Sequence, residues 1–144
     1  MTGNHSLIDQ LQGADARLFP AADAGDLVSL LQRVRRDLKL EPPDDFMEFL
    51  RHSNGLLANG LMLYGTEARR IDDAEMPELV EINLQRRSYR DDLGDVLQLG
   101  EIDDDIVGFV PADRHYWRIE RISGERQEKF DNLQALLTRL VLRG

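Results

Sequence analysis

The stretch Pro42-Pro43-Asp44-Asp45-Phe46-Met47-Glu48-Phe49-Leu50-Arg51-His52-Ser53-Asn54-Gly55 constrains this chain more than any other, because it sets the start, the buried face and the stop of one helix. Pro43 supplies a preset φ at or near the first helical position, where its missing N–H costs nothing. Asp44 and Asp45 put negative charge at the positive end of the helix dipole. Phe46, Phe49 and Leu50 recur at i, i+3 and i+4 and so share one face. Asn54 and Gly55 tolerate φ > 0, which predicts a left-handed helix end. A strand is expected next, at Leu61-Met62-Leu63-Tyr64-Gly65.

The flanking pattern changes period once. Residues 6–12 predict a short helix through Leu7, Ile8 and Leu11, and residues 17–22 predict a connector, since Pro20 disfavours helix at Phe19. Asp23 or Asp26 caps a second helix, whose stripe is Leu27, Leu30, Leu31, Val34 and Leu38 and whose other face carries Gln32, Arg33, Arg35, Arg36 and Lys39. Residues 68–75 are expected to form a polar bridge. Pro77 then sits in the first turn of a helix bearing Leu79, Val80, Ile82, Leu84 and Tyr89. Asn83 falls in register with Leu79, so its amide is predicted to point inward and to need partners such as sheet backbone. From residue 96 the period becomes two. Strands are expected at 96–100, 105–110 and 115–122, the last two joined by Pro111-Ala112-Asp113-Arg114. Trp117 and Ile119 are assigned to an apolar face, Arg118 and Glu120 to a charged one. After the turn Ser123-Gly124-Glu125, a final helix starts near Asp131, with Gln134 as capping-box partner and Leu133, Leu136, Leu137, Leu140 and Val141 as its stripe. Short turns between strands mean antiparallel neighbours. The predicted fold is α+β: one domain over residues 1–144, with helices packed on a largely antiparallel sheet.

The chemistry in the sequence is sparse. Asp and Glu number 27 against 18 Lys and Arg, a net charge of −9. That balance repels a phosphate backbone and steers toward basic partners; the plainer reading of it is solubility. With no cysteine, disulfides, thiolate nucleophiles and Cys-ligated zinc are excluded. The polar start, Met1-Thr2-Gly3-Asn4-His5-Ser6, lacks a signal-peptide pattern, and the apolar patch from 56 to 64 is too short to span a bilayer. A cytoplasmic protein without membrane contact is expected. No phosphate loop and no GxSxG occurs, and His52 and Ser53 are adjacent and so do not face each other on a helix. Glu48 and His52 lie four apart, but no second paired element completes a metal site, and an exposed helix pair is the expectation. Residues 101–105 lack the Asp-x-Asp-x-Asp-Gly alternation and the closing Glu of a calcium loop; they predict a solvated turn or an acidic, partner-facing edge. With 27 acidic residues, no carboxylate pair is specific enough to indicate a glycosidase. Arg86, Arg87 and Arg90 with Tyr89 are assigned to a solvated helix end rather than to base stacking. The expectation is no catalytic residues, no cofactor and no metal.

One family shares these elements. A helix ahead of Leu-Phe-Pro-Ala, then Pro-Pro-Asp-Asp-Phe-x-x-Phe-Leu-x-x-x-Asn-Gly, then Leu-x-Leu-Tyr-Gly-Thr-Glu resembles the SMI1/KNR4 (SUKH) superfamily, nearest its bacterial YrhA-like branch. Val80-Glu81-Ile82-Asn83, Leu97-Gln98-Leu99-Gly100-Glu101 and Tyr116-Trp117-Arg118-Ile119 are similar to later parts of that family, so the resemblance covers about residues 18–142. It departs at Glu41-Pro42-Pro43, where Leu-Pro is commoner, and at Asp45. The resemblance implies a single α+β domain without known catalysis. Many bacterial members are thought to be immunity proteins that neutralise toxins, often nucleases, and eukaryotic relatives are regulatory or scaffold proteins. It implies a structural role for Phe46, Phe49, Leu50, Asn54 and Gly55.

Three functional readings follow. The first is a non-enzymatic protein-binding domain, an immunity protein acting on a basic toxin such as a nuclease, with no direct nucleic-acid contact. The second is a regulatory or scaffold protein with a cellular partner. The third is a small-ligand binder or cryptic hydrolase that uses the acidic turn and nearby His115. The expected recognition face is an acidic rim of Asp72, Asp73, Glu101, Asp103, Asp104 and Asp105, chosen because these residues cluster in loops.

Overall fold

The computed structural model describes residues 3–142. Helices α1 (Gly3–Gly13), α2 (Ala24–Arg33) and α3 (Asp44–Leu50) precede most of the sheet, with a two-residue strand β1 (Arg17–Leu18) between the first two. Strands β2 (Leu56–Ala58) and β3 (Leu61–Leu63) follow. A separate hairpin, β4 (Arg69–Ile71) with β5 (Ala74–Met76), leads to α4 (Leu79–Arg87). The chain re-enters the sheet through β6 (Leu97–Ile102), β7 (Asp105–Val110), β8 (His115–Glu120) and β9 (Arg126–Phe130), and closes on α5 (Leu133–Leu137). The seven-stranded order is β1-β2-β3-β6-β7-β8-β9, antiparallel throughout. It is a meander interrupted once, where the hairpin and α4 leave the sheet after β3 and the chain returns beside it. This is a single α+β domain.

The helix of the opening stretch packs as its spacing dictates. Phe46, Phe49 and Leu50 are fully buried in the main core. Each such side chain contributes about 1.5–3 kcal/mol of transfer free energy. Pro43 is the N-cap and Asp44 the first helical residue. Asp45 does more than complement the dipole: its carboxylate accepts from the Tyr116 hydroxyl on β8 and from Leu133 N (2.8 Å) in the first turn of α5. One residue thus joins three elements and satisfies an otherwise orphaned helix N–H. Burial, and then the negative charge of Asp45 beside it, push the Tyr116 hydroxyl far above the ordinary tyrosine range, so it stays a donor. Asp23 caps α2 in a reciprocal capping box with Asp26, and Asn132, one position past Asp131, caps α5. All five residues of the predicted closing stripe are buried.

Several expectations need correcting. Of Asn54 and Gly55, only Gly55 takes positive φ (122°). Asn54 is instead a clamp: its amide donates to Thr66 Oγ1 and accepts from Thr66 N, both at 2.8 Å. The clamp leaves no room for a Cβ at Gly65, which would lie 2.4 Å from the Asn54 carbonyl oxygen. Buried Ser53 accepts from Phe19 N (2.9 Å), so the predicted connector at 17–22 is held down and its start, Arg17–Leu18, becomes an edge strand. The strand expected at 61–65 is one arm of a hairpin turned at Asn59 and Gly60, both at positive φ. Asn-Gly is a strong hairpin signal, and here it divides the apolar run in two. The polar bridge at 68–75 is the β4–β5 hairpin, and β9, not predicted at all, forms the sheet edge. Strand β8 ends at Glu120 rather than at 122. Its faces are not simply apolar and charged. Tyr116 buries against Phe109 and the helices, while Ile119 and Trp117 join Leu93, Val96, Ile106 and Val110 in a second, smaller core. Strand β7, buried at every position, has a core on each side.

Replacing Asp45 with Ala is expected to cost about 2–3 kcal/mol, from the lost cap and the stranded Tyr116 hydroxyl. Urea unfolding of Asp45→Ala, Tyr116→Phe and the double variant measures it. The expected coupling is about 1 kcal/mol, and strict additivity would mean the contact contributes nothing.

Candidate functional site

The predicted rim divides in two once its side chains are placed. Asp72 and Asp73 form the tip of the β4–β5 hairpin, Asp72 at φ 54° and 3.7 Å from Arg17, with both carboxylates in solvent. Asp103 and Asp104 form the two-residue turn between β6 and β7, Asp103 at φ 53° and 3.7 Å from Arg118. These four are exposed. Glu101 and Asp105 are not part of a solvated edge. Asp105 is buried and accepts from Arg118 Nε at 2.5 Å, an arrangement set by the register that places Asp105 opposite Glu120. The solvated turn is therefore Asp103 and Asp104 alone.

Glu101 belongs to a polar network under the sheet. Arg86, only 8% exposed, donates from Nη1 to the Tyr64 hydroxyl (2.9 Å) and to Gln98 Oε1 (2.7 Å), and from Nη2 to Glu101 Oε1 (2.8 Å). Tyr64 donates to the same oxygen at 2.6 Å, and Arg121 Nη2 lies 3.8 Å away. Burial alone pushes the Glu101 carboxyl up, but the hydrogen bonds from Tyr64 and Arg86 and the positive charge of Arg86 outweigh it and hold the group below the ordinary glutamate range. Burial likewise pushes the Tyr64 hydroxyl above its ordinary range. Beside this network Asn83 donates to Gln98 O (2.8 Å) and accepts from Gln98 N (2.9 Å), the sheet-backbone partners its register required. The pairing of β6 with β7 shifts between Gln98 and Gly100, so Asn83 holds the β6 backbone at Gln98, beside that irregularity.

The three arginines assigned to a solvated helix end are mostly structural. Arg86 is buried as described. Arg87 donates to the carbonyls of Leu38 (2.9 Å) and Gly94 (2.8 Å), and Arg90 clasps Asp92 and donates to the Arg121 carbonyl. A signal for Arg86 was present: Leu79, Asn83 and Arg86 follow i, i+4 and i+7, one row of the helix. Glu48 and His52 are a surface pair at 3.4 Å. Among the described residues, no three His, Asp or Glu side chains gather to hold a metal. His115 pairs with Val110, at the end of the β7–β8 hairpin opposite Asp105, so roughly 17 Å of strand separates it from the acidic turn. Its neighbours are the Asp113 carbonyl (2.7 Å) and Asp131 (3.3 Å). The proposed pairing of His115 with the acidic turn does not form. No helix among the described residues is long and apolar enough to cross a membrane.

The concave surface that sequence reasoning missed lies beside Glu101. A groove of about 580 Å³ runs between the β4–β5 hairpin and α4, walled by Arg69, Arg70, Glu75 and Met76 on one side and by Ile82 and Gln85 on the other, with Glu101 also lining it. No family model matches the chain, and no curated protein matches it.

Arg86→Met should destabilise the fold by about 2–4 kcal/mol, since it strands Glu101, Tyr64 and Gln98 together. Because the Glu101 carboxyl is held low in the folded state, the stability it contributes is present above the ordinary glutamate value of about 4.3 and is lost as pH falls through the folded value. Urea midpoints between pH 7 and pH 3 should therefore fall more steeply for the unaltered protein than for Glu101→Gln. Parallel curves would refute the assignment.

Proposed function

We propose that the protein is a non-enzymatic protein-binding domain of the SMI1/KNR4 (SUKH) kind, and that it serves as an immunity protein neutralising a basic bacterial toxin. The observation that carries this reading is the division of labour among its residues. The motif residues Phe46, Phe49, Leu50, Asn54 and Gly55 are all engaged in the scaffold, while Asp72 with Asp73 and Asp103 with Asp104 put exposed carboxylates on the hairpin tips, two of them only loosely paired with an arginine at 3.7 Å. Carboxylates held on two-residue hairpin turns reorganise little when a cationic surface approaches, and they accelerate its capture. A regulatory or scaffold role with a cellular partner uses the same surface and differs only in what binds.

Co-expression with a toxin-like protein encoded beside this gene tests the reading, with growth protection and a stable complex as the expected outcomes. Binding without protection, to a partner unrelated to any toxin, favours the regulatory role. In either case Asp103→Lys with Asp104→Lys should slow association with a basic partner about tenfold at low salt and flatten its salt dependence. Unchanged association rates would exclude this tip.

A further inference from the structure

We propose that Asn59 is a site of spontaneous deamidation, and that the conversion cuts the side-chain tie between the β2–β3 hairpin and the closing helical segment Thr138–Leu142. The proposal does not depend on the protein-binding reading.

Asparagine is among the chemically labile residues, and a glycine after it hinders the reaction least, because a residue without a side chain lets its own nitrogen approach the carboxamide. The sequence holds two such pairs, Asn54-Gly55 and Asn59-Gly60, each followed by leucine. The fold separates them. Asn54 is 3% exposed, and Thr66 engages both atoms of its amide. Gly55 N, the nitrogen that would attack, donates to Ser53 O at 2.9 Å. Asn59 and Gly60 instead make up the whole turn between β2 and β3, and both are exposed. Gly60 N donates to no backbone oxygen among the described residues. The Asn59 carboxamide is held by one hydrogen bond, from Nδ2 to the Val141 carbonyl at 2.9 Å.

Local opening of this turn frees the amide from Val141 and lets Gly60 N swing toward it. Gly60 N gives its proton to hydroxide and bonds to Asn59 Cγ. The Cγ–Nδ2 bond breaks, and Nδ2 takes a proton from water and leaves as ammonia. Water then adds to either carbonyl of the cyclic imide. Opening at Cγ gives aspartate at position 59, and opening at the backbone carbonyl gives isoaspartate, whose main chain runs through Cβ. Water is consumed, ammonia is released, and nothing is oxidised or reduced. Either product lacks the donor that the Val141 carbonyl accepts from. Isoaspartate also lengthens the turn that sets Leu57 opposite Met62. Aspartate adds a carboxylate to the depression that Asp15, Glu101 and Asp103 line.

Folded protein and urea-unfolded protein, aged side by side at mildly alkaline pH and mapped by peptide mass spectrometry, test the assignment. In the folded protein, conversion at position 59 should outrun conversion at position 54 by at least about tenfold, since the exposed turn opens far more readily than the buried clamp. In urea the two positions should convert at similar rates. Equal rates in the folded protein, or faster conversion at position 54, overturn the proposal. So does a position 59 that stays intact in the folded protein while it converts in urea. Asn59→Asp, which carries the aspartate product from the start, should lower the urea midpoint. An unchanged midpoint refutes the lost tie to Val141.

Discussion

The guanidinium of Arg86 is the group on which the middle of this molecule depends. It reaches from α4 to the end of β3 and to two positions of β6, and so fixes the one excursion that interrupts an otherwise continuous meander. A buried ion pair adds little net stability, because desolvation offsets most of the attraction. Its consequence is geometric. With Tyr64, Gln98 and Glu101 all directed to one cation, α4 has a single satisfied position over the sheet. Asn83 reinforces that position three residues earlier by completing the hydrogen bonding of Gln98 at the strand irregularity. An apolar helix face could slide by a turn at modest penalty; this one would leave several buried polar groups unpaired.

The helices were legible in the sequence wherever one face is buried and the caps are local. Phe46, Phe49 and Leu50, the Asp23–Asp26 box and the closing leucine stripe depend only on residues a turn apart. Legibility failed where the deciding partner is distant in the chain. Nothing near Asp45 announces Leu133, 88 positions on, and nothing near Ser53 announces Phe19. The edge strands β1 and β9 are short and mainly polar outward, so their pairing is imposed by neighbours rather than by their own pattern. Trp117 does lie with Ile119 on an apolar face, but what covers it was not legible. Arg126 and Lys129 lie over its ring from β9, so that face of the sheet is closed by cations as well as by hydrocarbon.

The candidate site was legible only in part, and charge explains why. Composition counts Glu101 and Asp105 with Asp103 and Asp104, although two of the four are held by Arg86 and Arg118 inside the fold. A residue's sign is visible in sequence, but whether that sign is compensated is not. Many of the 27 carboxylates are paired with arginine in this way, and exposed pairs such as Arg35 with Glu41 contribute little to stability. What remains for long-range interaction is the exposed fraction, which includes the turns at 72–73 and 103–104.

That separation divides the carboxylates by what they can do. Those on the tips at 72–73 and 103–104 are exposed, so they act through a field that salt screens within about 8 Å at physiological ionic strength. Their charge is coupled to the core only weakly: Asp72 and Asp103 each lie 3.7 Å from one arginine, and both hold the positive φ that their two-residue turns require. Glu101 is tied through Arg86 to the position of α4, so a change there alters the fold as well as the groove it lines.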